Sequence, residues 1–267
     1  MKPISVVMSV HNGDKYLRQS IDSVLCQKDA PPFDFYIGND GSTDKSWEIL
    51  CEYARNIACK IPLYVFGFEK RNLAISLNDL IFRTNTKYIM RQDADDISHP
   101  DRMRVLFETL EAHPSVSLIG SSYKTIDSEG NRLAGKQVSF LADSETISKI
   151  KTRPPHGSWM FRRQAWGDVG GYSENFKYAQ DYDLMLRIAD GGYVESCSTY
   201  LYSLRLHKDS VSYAHRAEQD YYAKAALMMH HVRTGLRFIK NDSEWLKKGR
   251  LFKDIVKQRI KRVLGYV

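Results

Sequence analysis

"ISVVMSVHNGDKYLRQSIDSVLCQ", residues 4–27, decides the fold. Its first seven residues form an apolar run rich in β-branched side chains, the pattern of a strand buried on both faces. The polar turn "HNGD" (11–14) interrupts it, and Leu17, Ile21, Val24 and Leu25 then return at helical spacing. The unit recurs. "FDFYIGN" (33–39) leads to "STDKSWEILCEYAR" (42–55), a helix opened by a Ser/Thr/Asp cluster suited to N-capping. "PLYVFGF" (62–68) leads to "NLAISLNDLIFRT" (72–84), and "KYIMRQ" (87–92) to "DRMRVLFETLEAH" (101–113). This alternation predicts an α/β fold with a mostly parallel central sheet and helices on both faces. Such sheets bind ligands beyond the carboxyl ends of their strands, where the strand order switches. Three polar clusters sit there: "HNGD" (11–14), "NDGSTD" (39–44) and "DADD" (93–96). They are predicted to converge on one crevice.

After about residue 115 the rhythm changes. "VSLIGSSYKTID" and "GSWMFRRQAW" read as strands, "QDYDLMLRIADGG" as a helix, and "YVESCSTYLYSLRLH" (193–207) as a long β-prone run. No internal repeat or low-complexity linker marks a second independent domain. Hydrophobic residues are 43% and charged residues 27% of the 267, an ordinary globular balance that excludes fibrous, collagen-like and disordered classes. The net charge of +7 is uneven: from Arg233 onward there are eleven Lys/Arg and three Asp/Glu, so the rest of the chain is close to neutral. The segment from Ala217 on is expected to be helical. In "LFKDIVKQRIKRVLGYV", Phe252, Ile255, Val256, Ile260, Val263 and Leu264 share one face, with lysines and arginines on the other. Cys26, Cys51, Cys59 and Cys197 form no C-x-x-C and no metal-ligand pattern, and read as reduced, mostly buried thiols of a cytosolic protein. No run approaches the ~18–20 apolar residues of a membrane span. "MKPISVVMSVHNG" reads as a first strand rather than a signal peptide.

Asp93, Asp95 and Asp96 crowd like charges that raise one another's pKa. A divalent cation removes that conflict, and hard oxygen ligands suit Mg²⁺ or Mn²⁺ with phosphate oxygens completing the shell. Taken alone, D-x-D favours a solvated acidic turn capping the helix at Asp101. Its position directly after a buried strand points to a phosphate site. In "NDGSTD", Asp40 ends a strand beside Gly41 and can accept hydrogen bonds from a uracil or ribose edge; taken alone, the stretch favours an ordinary turn and helix cap. In "YAQDYDLMLRIAD", Asp181 near a helix start is a candidate general base, its ionised form favoured by the helix N-terminus. A plain cap with an Asp183–Arg187 pair at i, i+4 spacing is the alternative. His207, ending a strand-like segment, is either structural or a metal ligand beside Asp95.

Together these blocks resemble the family-two inverting glycosyltransferases of the GT-A fold, bacterial and non-processive. The matching stretches are "ISVVMSVHNGDKYLRQSIDSVLCQ", "NDGSTDKS", "YIMRQDADDISHPDRM", "HGSWMFRRQAWGDVGGYSENFKYAQDYDLMLRI" and "LRLHKDSVS", in the family's order over roughly residues 3–215. The resemblance implies that Asp40 contacts the base and Asp93 the ribose or sugar. It also implies that Asp95 binds Mn²⁺ or Mg²⁺ at the diphosphate, with His207 completing that shell. Asp181 would be the catalytic base. The backbone of Ser9 to His11 would line the nucleotide pocket, with Arg71 approaching it. The implied division is a glycosyltransferase domain over 1–215, with a nucleotide-sugar half to about 115 and an acceptor half from 116, and a basic amphipathic helical tail over 216–267. Departures are Ser9–Asn12 where the family often has Pro-Val-Tyr-Asn, and Gln180 as first member of the usual acidic pair. The Q-x-x-R-W motif of processive polymerases is absent.

The expected activity is metal-dependent transfer of one sugar, with inversion, from a nucleotide sugar, UDP-linked by preference, to a saccharide acceptor carried on a lipid. A sugar-nucleotide nucleotidyltransferase would be expected to have a Gly-rich, basic first loop, whereas "HNGDKYL" has one glycine and an acid. A degenerate nucleotide-binding scaffold has only Gln180 in its favour. The tail is expected to lie on an anionic membrane surface at the cytoplasmic face rather than on nucleic acid, since its aromatics sit with the apolar face. Packing on its own domain or in a homodimer is the alternative.

Overall fold

The computed structural model describes residues 2–56, 61–208, 210 and 215–235. The predicted β-α alternation is present. Strands β1 (Ile4–Val10), β2 (Phe33–Asp40), β3 (Leu63–Phe68) and β4 (Tyr88–Arg91) alternate with helices α1 (Asp14–Leu25), α2 (Ser46–Arg55) and α3 (Leu73–Phe82). These four strands are parallel, in the order β3-β2-β1-β4. The order therefore reverses beside β1, and the crevice at its carboxyl end is the switch point.

Burial follows the two-residue period of the strands. Ile4, Val6, Met8 and Val10 pack with Leu17, Ile21 and Val24 of α1, Ile49 and Leu50 of α2, and Met103, Leu106 and Leu110 of α4 (Arg102–Ala112). Val7 and Ile89 face the opposite layer, built from Leu77, Leu80 and Ile81 of α3 and Leu184, Met185 and Leu186 of α6 (Gln180–Ile188). Each such fully buried aliphatic side chain contributes roughly 1.5–3 kcal/mol.

The second half extends this sheet. β9 (Met160–Arg162) runs antiparallel between β4 and β6 (Val116–Ile126), and β6 pairs in parallel with the thirteen-residue β10 (Tyr193–Arg205). The two-residue β5 (Ile97–Ser98) folds back from the acidic loop onto β10, pairing Ser98 with Tyr202. β7 (Arg132–Lys136) and β8 (Phe140–Ala142) add antiparallel edges to β6 and β10.

Three expectations change. "GSWMFRRQAW" is a strand only over Met160–Arg162, because its partner β4 begins at Tyr88, opposite Arg162; beyond that the chain turns into α5 (Arg163–Asp168) and buries Trp166. The helix expected from residue 42 starts at Ser46, because Ser42 and Asp44 bind the neighbouring loop. Cys26 is exposed at the end of α1, whereas Cys51 and Cys197 are half-buried and Cys59 lies outside the described residues. Helix α7 (Arg216–Thr234) buries Ala225, Ala226 and Met228 in the core beside α6. The segment 252–264, which carries the membrane expectation, lies outside the described residues. No described helix is long and apolar enough to cross a membrane.

Candidate active site

Loops after β1 and β2 form one side of the crevice and hold each other. The Asn12 N–H donates to Ser42 Oγ (3.0 Å), the Thr43 N–H to Asn12 Oδ1 (2.8 Å), and the Gly13 N–H to Ser46 Oγ (2.9 Å). Asp44 accepts from the Asp14 N–H (3.0 Å) and the Ser46 N–H (2.9 Å), so one carboxylate ties the starts of α1 and α2 together. Those bonds lower its pKa against the opposing effect of burial. Gly41 has φ +65°, and a Cβ there would lie 2.6 Å from the Lys70 backbone nitrogen, so both conformation and space require glycine.

Asp40 ends β2 with its carboxylate nearly buried. Oδ1 accepts from Ser76 Oγ (2.9 Å) and the Arg71 N–H (3.2 Å), and Lys70 Nζ is 3.9 Å from Oδ2. His11 Nδ1 lies 2.9 Å from the Asp40 carbonyl, and Ser9 pairs with Gly38 just below. Arg71 thus meets Asp40 mainly through its backbone, its Nε standing 4.0 Å from Asp40 Oδ1. Its guanidinium is committed to Asp79 (2.7 Å) and Ser76 (3.2 Å), and lies over the Phe68 ring.

The opposite side is the acidic loop. His207 Nε2 stands 2.8 Å from Asp95 Oδ2, brought there by the pairing of β5 with β10. Asp93 Oδ1 accepts from Arg91 at 2.6 Å. Burial raises the Asp93 pKa, Arg91 opposes the rise, and Asp95 and Asp181 reinforce it. Asp96 is held well above the usual carboxylate range, first by burial and then by Asp95 and Asp93. Its Oδ1 accepts from the Arg205 N–H (2.7 Å), so Asp96 anchors β10 from beneath the loop. Asp95 and His207 fit a divalent cation: an oxygen and an imidazole nitrogen meet at one half-open point amid accumulated negative charge. Among the described residues no third His, Cys, Asp or Glu completes a cage, which leaves the remaining positions to phosphate oxygens and water.

Beneath the loop lies a layer of buried arginines that the sequence reading missed. Arg91 and Arg102 are fully buried and Arg205 nearly so. Arg91 donates to the Val7 carbonyl (2.6 Å) as well as to Asp93, and Arg102 to Gln92 Oε1 (2.8 Å) and the Arg91 carbonyl. Burial pushes the Arg102 pKa down to about 10. Arg205 donates to the Asp95 carbonyl (2.8 Å), the Asp127 and Ser128 carbonyls and Gln19 Oε1, and lies over the Tyr16 ring. His156 Nε2 lies 2.6 Å from Tyr172 Oη and 3.3 Å from Arg91 Nε; burial and that guanidinium hold its pKa well below the ordinary value, so it is neutral. A Cβ on Gly157 would fall 2.0 Å from Tyr202 Oη and 2.6 Å from Asp93 Oδ2. An arginine inside the apolar strand "YIMRQ" was the available signal.

Asp181 is the second residue of α6, following Ala179 in a left-handed conformation (φ 52°) that turns the chain into the helix. It is half-exposed on the wall of a cavity of about 810 Å³ that Arg153, Trp159 and Tyr182 also line. Desolvation raises its pKa, partly offset by the Tyr182 N–H and by Arg153. The expected Asp183–Arg187 pair also forms, at 2.6 Å and buried, but it belongs to the next turn and leaves Asp181 free of it.

The model of the family described as "Glycosyl transferase family 2" matches residues 5–170. EpsE of Bacillus subtilis (strain 168), named a glycosyltransferase, is 31% identical over 192 residues, covering 71% of this chain and 68% of that protein. The O-antigen biosynthesis glycosyltransferase WbnJ of Escherichia coli is 28% identical over 188 residues, covering 69% and 71%. The chain spans only 30% of the E. coli chondroitin synthase, to which it is 25% identical. Among solved structures, S. aureus TarS 1–349 in complex with UDP superposes with a TM-score of 0.65 at 18% identity, covering 85% of this chain and 65% of that one. The mannosyltransferase PcManGT of Pyrobaculum calidifontis, in complex with GDP-Man and Mn²⁺, gives 0.62 at 17% identity, covering 89% and 65%. These likenesses establish the GT-A fold, and the family match, reached independently of it, covers most of the chain: it belongs to glycosyl transferase family 2.

Proposed function

We propose that this chain transfers a single sugar from a nucleoside-diphosphate sugar, with uridine the favoured base, to a hydroxyl of a saccharide acceptor, with inversion at the anomeric carbon. The observation that carries this reading is the meeting of Asp93, Asp95 and His207 in one crevice with Asp181 close enough for its charge to reach Asp93. In support, TarS and PcManGT have been crystallised with UDP and with GDP-Man and Mn²⁺ respectively.

Asp95 Oδ2 and His207 Nε2 would hold Mn²⁺ or Mg²⁺, which when bound offsets negative charge on a leaving diphosphate. The chain's own residues do the rest. The His11–Asp40 floor receives the nucleoside. Asp93, fixed by Arg91, orients the sugar. Asp181 removes the proton from the acceptor hydroxyl as that oxygen attacks the face opposite the leaving group. Alignment of the two substrates supplies much of the rate. A raised pKa suits Asp181 to this role, because a base works best with a pKa nearer the operating pH.

The names of two relatives, the O-antigen biosynthesis glycosyltransferase WbnJ and the chondroitin synthase, support a place in polysaccharide assembly. A lipid-linked acceptor, and attachment of the enzyme to the inner face of the cytoplasmic membrane through residues 252–264, complete the proposal. The test is incubation with a panel of sugar nucleotides and Mn²⁺ or Mg²⁺. Metal-dependent release of nucleoside diphosphate is expected; release of pyrophosphate would instead mark a nucleotidyltransferase.

A further inference from the structure

The cavity beside Asp181 is bordered by the first turns of α7, which supply Arg216, Ala217, Gln219, Asp220 and Ala223 to the wall that also holds Arg153, Trp159 and Tyr182. Its charges do not cancel. Asp220 is neutralised by Lys224 at 2.6 Å. Arg153 lies over the Tyr182 ring, 4.0 Å from its centroid, and its only hydrogen bond among the described residues is a long one to the Ile150 carbonyl (3.4 Å). Neither Arg153 nor Arg216 has a carboxylate within 4.0 Å among the described residues, although most arginines of this protein near the crevice are committed to acids or carbonyls. Two guanidiniums with no carboxylate within 4.0 Å among the described residues thus line the same cavity as the proposed base, Arg216 at its exposed edge and Arg153 near enough for its charge to act on Asp181, with Trp159, Tyr182 and Met185 as the apolar part of the wall. Arginine suits planar oxyanions because its donors form a fixed fork. The platform suits the apolar face of a sugar ring.

We infer that this cavity is the acceptor subsite and that it selects an acceptor bearing an oxyanion, a uronic-acid carboxylate or a phosphate ester, through Arg153 and Arg216. This rests on the transferase reading above and adds the acceptor's charge class to it. The placement also gives α7 a role: it borders the acceptor side of the crevice.

The test is calorimetric titration of the full chain, with UDP and Mn²⁺ present, against two matched pairs: methyl β-glucuronide and methyl β-glucoside, and glucose 6-phosphate and glucose. At least one anionic compound should bind tenfold or more tightly than its neutral partner, and the pair concerned distinguishes carboxylate from phosphate. In the double variant Arg153→Gln, Arg216→Gln the preference should collapse toward unity, and Arg153→Lys, Arg216→Lys should keep part of it. Equal affinities within both pairs, no binding of either anion, or a preference that survives the double glutamine variant would each overturn the inference. Failure of the underlying reading looks different: the wild-type enzyme would then release no nucleoside diphosphate in the presence of metal.

Discussion

His207 Nε2 lies 2.8 Å from Asp95 Oδ2, across 112 positions of sequence. The imidazole lies just after β10 and the carboxylate in the loop between β4 and β5. The pairing of Ser98 with Tyr202 is what joins them. If the two share a cation, Asp95→Ala and His207→Ala should each reduce metal-dependent turnover by roughly 100-fold or more, the scale of a lost charge-stabilising contact. Both should weaken nucleoside diphosphate binding with Mn²⁺ present and alter it little in EDTA. Unchanged metal dependence in either variant would remove that residue from the site.

Gly157→Ala tests the packing beneath the loop. The new methyl would meet both Tyr202 Oη and Asp93 Oδ2; Tyr202 is buried and cannot retreat, so Asp93 must give way. A stability loss of about 1–3 kcal/mol is expected from such overpacking, with a larger proportional loss of activity as Asp93 is displaced. Wild-type values for both urea midpoint and turnover would show the loop to be looser than the contacts indicate.

Arg91→Met keeps the side-chain length but leaves Asp93 without its cation. Arg91 is fully buried but the Asp93 side chain is 32% exposed, so the loss should be about 1–3 kcal/mol, below that of a fully buried pair. Burial and the nearby Asp95 and Asp181 would then raise the Asp93 pKa further. Urea unfolding of the variant should show most of its loss at neutral pH, where Asp93 is ionised, and less in acid, where it is protonated. A pH-independent loss would assign the effect to packing alone.

Much of the architecture was legible because buried parallel strands and amphipathic helices write different periods into sequence. β1 to β4, α1 and α3 fall close to where the apolar pattern puts them. The convergence of "HNGD" and "NDGSTD" was also legible, since both follow parallel neighbours. The antiparallel insertion of β9 was not, because Met160–Arg162 is too short for a period and its place depends on β4 and β6. The arginine layer was hidden for a related reason. Arg91, Arg102 and Arg205 look like surface charges until the fold supplies the carbonyls and carboxylates that make their burial tolerable. Arg71 meets Asp40 through its backbone N–H at 3.2 Å and only at 4.0 Å through its side chain, a split that sequence spacing does not reveal.

Removal of residues after about 242 tests the tail separately. If the amphipathic basic segment holds the enzyme on a membrane, the truncated protein should no longer sediment with vesicles containing anionic phosphatidylglycerol, while the full chain does so and is released by high salt. Persistent binding after truncation would exclude that role.

In the proposed mechanism Asp181 is the base. Because burial raises its pKa in the folded protein, its contribution to stability is fully present below the unfolded value near 3.9 and is lost as pH rises through the folded one. Ionised Asp181 therefore costs stability at neutral pH, and Asp181→Asn should melt no lower than wild type at pH 8. The acid limb of the wild-type rate profile should lie above the ordinary carboxylate range and vanish in the variant. The decisive measurement is the turnover of Asp181→Asn beside its calorimetric affinity for nucleoside diphosphate with Mn²⁺. Transfer should fall by about 10²–10⁴-fold with donor affinity nearly unchanged; near-normal turnover would contradict the account.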